Sequence, residues 1–279
     1  MNQLLNSLSF RLVALTVLFS LVSVRATSQQ DTLFWFAAPE ISASEGESPI
    51  KLRVHSYATA ATITISQPAN GAFSPIVVNL PANSVDSVDL TPFITDVESP
   101  AADVASPNGL KISSTSEITA YYELSASGNK EIFALKGSKG IGTDFYTPFQ
   151  EQWDNGVTAP ASFSSIDIVA TEDNTTVLIT PRTDVTGHTG SVTYSVTLME
   201  GETYSARDTD VNASTSLSGS IVAADKPIAV TVFSGALTNT GCTSAMGDQI
   251  TTSEFLGKDF IIHRGNSSED RIYILATEN

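Results

Sequence analysis

The feature that most constrains this chain is an internal repeat written in strand-forming segments. Gly142-Thr-Asp-Phe145 returns as Gly257-Lys-Asp-Phe260, 115 positions later. Ile166-Asp-Ile-Val-Ala-Thr-Glu172 returns as Ile272-Tyr-Ile-Leu-Ala-Thr-Glu278, 106 positions later. A fainter earlier copy sets Ala61–Ile65 against Thr175–Ile179, Val78–Leu80 against Val196–Leu198, and Gly109–Ala120 against Gly219–Val230. Segments recurring in one order at a near-constant offset define a structural unit of roughly 110 residues. The expected organisation is a signal peptide over 1–26, a first β repeat over 27–135, a second over 136–249, and the start of a third over 250–279.

Within each copy the apolar period is two. Ile50-Lys-Leu-Arg-Val54, Ile63-Thr-Ile65, Ile166-Asp-Ile168 and Tyr194-Ser-Val-Thr-Leu198 alternate, and turn dipeptides such as Asn70-Gly71 and Glu200-Gly201 separate them. Alternation over short β-branched runs bounded by Gly, Asn and Asp reads as antiparallel strands. No stretch carries a clear helical period. About seven strands per unit predict an all-β chain of tandem, Ig-like antiparallel β-sandwiches, with a β-propeller as the alternative. The third copy stops inside a hairpin at Asn279, so the sequence reads as a piece of a longer protein.

The amino terminus joins Arg11 to the apolar run Leu12–Val24, followed by Val24-Arg25-Ala26. Thirteen residues are too short for a ~30 Å hydrocarbon core, and the pattern fits a cleaved export signal. No later run reaches membrane length, so no membrane span is expected in the mature chain. The formal net charge of −16 repels phosphate backbones and argues against nucleic acid as a partner. One Cys excludes an internal disulfide. In an exported chain the odd Cys242 is expected to pair with a cysteine outside this segment.

The phrases Gly142–Phe149, Ser165–Val177, Leu217–Val230 and Gly241–Asp248 together resemble the amino-terminal domain family of IgGFc-binding protein. Related domains occur in large exported proteins of Bacteroidota bacteria. The resemblance is good over about 140–279 and weak over the first copy. It implies a secreted or cell-surface, non-catalytic binding or adhesive module, here of bacterial type. IgG binding itself is not carried over, because no residue-level motif for it can be matched.

Little in the residues points to catalysis. His55, His188 and His263 show no metal-ligand spacing and read as ordinary surface or sheet histidines. No Gly-x-Ser-x-Gly elbow is present. Gly137-Ser-Lys-Gly140-Ile-Gly142 lacks phosphate-loop spacing and precedes a strand, so it reads as a flexible connector between copies. Asp208-Thr-Asp210-Val-Asn212 begins like a calcium loop, but Ala213 and Gly219 stand where Gly and Glu belong. A looser calcium site on those three residues is the sole cofactor candidate, against a plain polar loop. Nine extra residues between Phe149 and Ser164 set the second copy apart from the third. They bring Trp153 with Gln150, Asp154 and Asn155, a Trp among amides and acids suited to stacking on a sugar or anchoring a protein. The competing reading folds Trp153 back as a core plug. The expected function is glycan or protein binding by an exported surface or matrix module. The alternatives are a structural spacer and a secreted hydrolase whose catalytic part lies elsewhere.

Overall fold

The computed structural model describes residues 29–41, 48–126, 129–156, 162–239, 242–262, 265 and 271–277. The signal-peptide segment lies outside the described residues. Fourteen strands form two seven-stranded antiparallel sheets with one topology. In the first, β4 (Ile76–Leu80), β3 (Ala61–Ser66), β6 (Leu110–Ala126), β2 (Ile50–Ser56) and β5 (Val85–Asp89) lie in that order. β1 (Asp31–Phe36) and β7 (Asn129–Ala134) also pair with β6. In the second, β11 (Tyr194–Leu198), β10 (Thr175–Thr180), β13 (Ile221–Asn239), β9 (Ser164–Ala170) and β12 (Thr203–Arg207) repeat the order. β8 (Ile141–Tyr146) and β14 (Cys242–Gln249) join β13. Sandwiches, not propeller blades, are what the chain forms. The only α-helix among the described residues is one turn, α1 (Ile94–Val97).

Each sheet folds over itself about its long strand. The start of β6 pairs with β1 and β3, and its later part pairs with β2 and β7. The β1 register shifts between Asp31 and Leu33, and the β8–β13 register shifts between Ala223 and Ile228. Such irregularities bend a strand from one layer of a sandwich into the other. Alternation then fills the interiors: β2 buries Ile50, Leu52 and Val54, and β10 buries Val177 and Ile179. Each fully buried Ile, Leu or Phe contributes about 1.5–3 kcal/mol. The turn signals hold too. Gly201 sits at φ +80° and Asn174 at φ +54°, left-handed positions that Gly and Asn tolerate.

One strand departs from its expected pattern. Ile166-Asp-Ile168 reads as one face in and one face out, yet all seven residues of β9 are buried. The cause is the first sandwich, which covers the second face. Val169 joins Trp35, Ala37 and Ala229 in a small apolar cluster between the two units. Residues 102–106 run along the β12 edge through bridges Ala102–Ser205 and Ser106–Thr203. Gly109 N–H donates to Gly201 O at 3.0 Å, an approach that a Cβ on Gly109 would block at 2.5 Å. The glycine-rich connector is also held in place. Gly137–Gly140 forms a 3-10 turn, and Ser138 N–H donates to Asp31 Oδ2 at 2.7 Å.

Beyond β14, the described residues form a 3-10 turn at Ser253–Phe255 and otherwise no regular element.

Candidate functional site

The long β8–β9 loop begins in the core. Phe149 packs in the second hydrophobic cluster, and Thr147 Oγ1 donates to Leu217 O at 2.8 Å. The next turn is built by one side chain. Gln150 Oε1 accepts from Gln152 N and Trp153 N, both at 2.8 Å, and its Nε2 donates to Trp153 O at 2.7 Å. Gln150 therefore fixes the backbone of Trp153. Asp154 Oδ1 accepts from Ala213 N at 2.8 Å. Asn155 is buried, its Nδ2 donating to Gly235 O at 2.7 Å and its N–H to Val211 O at 2.8 Å.

These contacts bring together two groups that are about fifty residues apart in sequence. Ser164 joins them: its N–H donates to Asp208 Oδ1 at 2.8 Å, and its hydroxyl lies 3.2 Å from Asn155 Oδ1 and 3.0 Å from Ser234 Oγ. Burial pushes Asp208 up to about 7, against the opposing Ser164 N–H bond and with Asp210 nearby adding to the rise. Asp210 behaves otherwise. Its exposed Oδ1 accepts from Asn212 N at 3.1 Å, which holds the carboxyl below its usual range. Asp208, Asp210 and Asn212 thus serve as turn and anchor groups. No group of three or more His, Cys, Asp or Glu side chains suited to a metal occurs among the described residues.

Trp153 and Gln150 are the members of the predicted set that line a cleft. Trp153 is partly exposed, and the cleft has a volume of about 980 Å³. Phe149, Val232 and Ile250 supply apolar surface to that cleft, Met246 stands 42% exposed, and Gln152, Lys136 and Asp248 supply polar atoms. Such a space, mostly apolar with a few polar groups, has the make-up of a ligand site. Parts of the β13–β14 ribbon entered the sequence reading only through the resemblance and Cys242, not as candidate site residues. Cys242 pairs through its backbone with Asn239 at the start of β14.

A second polar cluster was also missed. Arg207 Nη1 meets Glu40 Oε2 at 2.7 Å, its Nη2 donates to Ser99 O at 2.5 Å, and its guanidinium lies 4.3 Å from the Phe163 ring centroid. Beside it, Asp167 is wholly buried and accepts from Ser165 Oγ at 2.6 Å; burial pushes it up to about 6 despite that bond and Arg207. His188 Nε2 lies 2.9 Å from Asp103 Oδ1 and its ring stacks on Tyr194 at 3.4 Å. Tyr204 donates to the same Asp103 oxygen at 2.7 Å. Both clusters tie one sandwich to the other. His263 lies outside the described residues.

Tandem antiparallel sandwiches with a lateral, aromatic-edged cleft define an all-β binding module. The chain belongs to the IgGFc binding protein family, which matches residues 131–279, just over half of its length. The match begins within β7 and spans the whole second sandwich with its cleft. No curated protein and no solved structure is significantly similar. No helix among the described residues is long and apolar enough to cross a membrane. Membership makes the chain a binding module of extracellular type, with a protein as the class of partner.

Proposed function

We propose that this is an exported, non-catalytic module of the cell surface or extracellular matrix that holds a protein partner in the Trp153 cleft. The observation that carries the reading is the Gln150-built turn, which fixes Trp153 at the rim of an apolar cleft inside the family-matched sandwich. A Trp held by its backbone loses little freedom on binding, and rim aromatics of this kind act as anchors. The acidic surface steers toward basic or neutral partners and away from polyanions. Adhesion follows if the protein is retained at the surface, with the signal at 1–26 as its export route and Cys242 as a link to a cysteine outside this segment.

The test is binding of the purified chain to a panel of extracellular proteins, immunoglobulin Fc among them, and to a glycan array. A protein ligand lost on Trp153→Ala supports the reading. A glycan ligand lost on the same change moves the site to carbohydrate. Binding unaffected by Trp153→Ala rejects the cleft, and no binding at all favours a spacer. Calcium is checked in the same material: a melting point raised by calcium and insensitive to Asp210→Asn rejects a site at Asp208, Asp210 and Asn212.

A further inference from the structure

The two sandwiches follow one pattern, so each position in one has a counterpart in the other. Leu135 N–H donates to Ala120 O at 3.1 Å, and Ile250 N–H donates to Val230 O at 3.0 Å. Ala120 pairs with Val54 as Val230 pairs with Ile168. Two residues further along the long strands, the cross-strand pair Tyr122–Phe133 corresponds to Val232–Asp248.

These equivalent places have different surroundings. At Tyr122–Phe133 the second sandwich is docked: the Phe133 and Phe233 ring centroids are 6.4 Å apart, and Phe233 and Ala245 complete the first sandwich's core. At Val232–Asp248 lies the open cleft. Residues after β14 come to it, with Leu256, Ile262 and Ile272 on its border. Phe260 and Ile272 stand where the second sandwich has Phe145 and Ile166. Those two are 0% exposed, whereas Phe260 is 72% and Ile272 56% exposed. At the other end of the pair, the counterparts of Phe233 and Gly247 are Glu123 and Ile132. Glu123 is ion-paired with Arg53. Ile132 stands 54% exposed, so the two ends of the pair differ, and head-to-tail docking gives the array a direction.

We propose that the Trp153 cleft is the seat of a further β-sandwich of this fold, begun on the same polypeptide by Phe260 and Ile272 and docked as the second sandwich docks on the first. The proposal rests on reading the cleft as a protein-binding site and names the protein. Docking of this kind is heterologous, so the array has a direction.

The experiment compares the chain as it stands with a chain extended after Thr277 by a copy of its own residues 172–249. In the unextended chain, the account expects a monomer by sedimentation, fast amide exchange over 272–276, and Trp153 open to acrylamide; Trp35, 2% exposed, stays silent. In the extended chain, exchange over 272–276 slows by more than about ten-fold, Trp153 quenching drops, and Met246→Glu restores quenching. An extension that leaves those amides unprotected or Trp153 open overturns the proposal. A dimer of the unextended chain that shields Trp153 overturns it in favour of a second copy. Protection of 272–276 in the unextended chain overturns it in favour of self-closure. If a panel protein is still lost on Trp153→Ala while the extension leaves the cleft open, the binding site stands and only the sandwich as its occupant falls.

Discussion

The ring of Phe133 in the first sandwich lies against Gly247 in the second, where a Cβ would come within 2.5 Å of it. The missing side chain is what lets Phe233 of the second sandwich join Phe133 in the first sandwich's core. Gly247→Ala is expected to cost about 1–3 kcal/mol through overpacking, and Phe133→Ala about 3–5 kcal/mol through the cavity it leaves. In the double variant the Gly247→Ala cost is expected to shrink but not vanish, because the ring is gone while Val232 O still lies 2.7 Å from the added Cβ. Denaturant unfolding of the four proteins checks this; strictly additive costs contradict the contact.

A backbone contact makes the parallel case at Gly109. A Cβ there meets Gly201 O at 2.5 Å, while a Cβ on Gly71 meets nothing within 4 Å. Gly109→Ala is expected to lose about 1–3 kcal/mol, and Gly71→Ala to stay within about 0.5 kcal/mol. Equal effects in thermal unfolding contradict the close approach of the sandwiches.

Two buried carboxyls set the pH dependence. Burial raises Asp167 to about 6 and Asp208 to about 7, both from an ordinary 3.8. A raised folded pKa means the native state holds the proton more tightly than the unfolded chain. Stability from these groups is present in full below about pH 4 and is lost as pH rises through 6 and 7. The melting temperature is therefore expected to fall between pH 5 and pH 8. Asp208→Asn keeps an acceptor for Ser164 N–H and removes the charge. It should raise stability at pH 8 by about 4 kcal/mol and leave pH 3 nearly unchanged. A variant equally stabilised at both pH values contradicts the assignment.

Gln150 acts on Trp153 through the turn it builds. Gln150→Ala removes three hydrogen bonds to the 152–153 backbone. For a partner found to need Trp153, it should weaken binding by about 5–10-fold. Fluorescence anisotropy decay should show a freer Trp153 ring in the same variant. Weaker binding with an unchanged decay contradicts the scaffold role.

Much of the fold was legible because strand periodicity and the repeat are local signals. The offset of 114 that sets Ala61–Ile65 on Thr175–Ile179 reappears as the equivalence of β3 and β10, and Gly109–Ala120 on Gly219–Val230 as that of β6 and β13. The site was half legible. Trp153 stood out as a large aromatic in an inserted polar loop, but nothing local shows that Gln150 and Asn155 spend their amides on backbone. Asp167 was misread because alternation records only whether a neighbour is polar. That a polar residue faces a second sandwich instead of water is a long-range fact. The β13–β14 wall of the cleft was invisible for the same reason.

Protein binding in the Trp153 cleft, as proposed above, is open to direct measurement. Its most direct test is the affinity of the chain and of Trp153→Ala for each extracellular protein in a purified panel, by calorimetry in one buffer. The account predicts at least one protein whose affinity drops by about 30-fold or more, near 2 kcal/mol, on losing the ring, with the melting temperature unchanged. A partner that binds the variant as tightly as the native chain contradicts it.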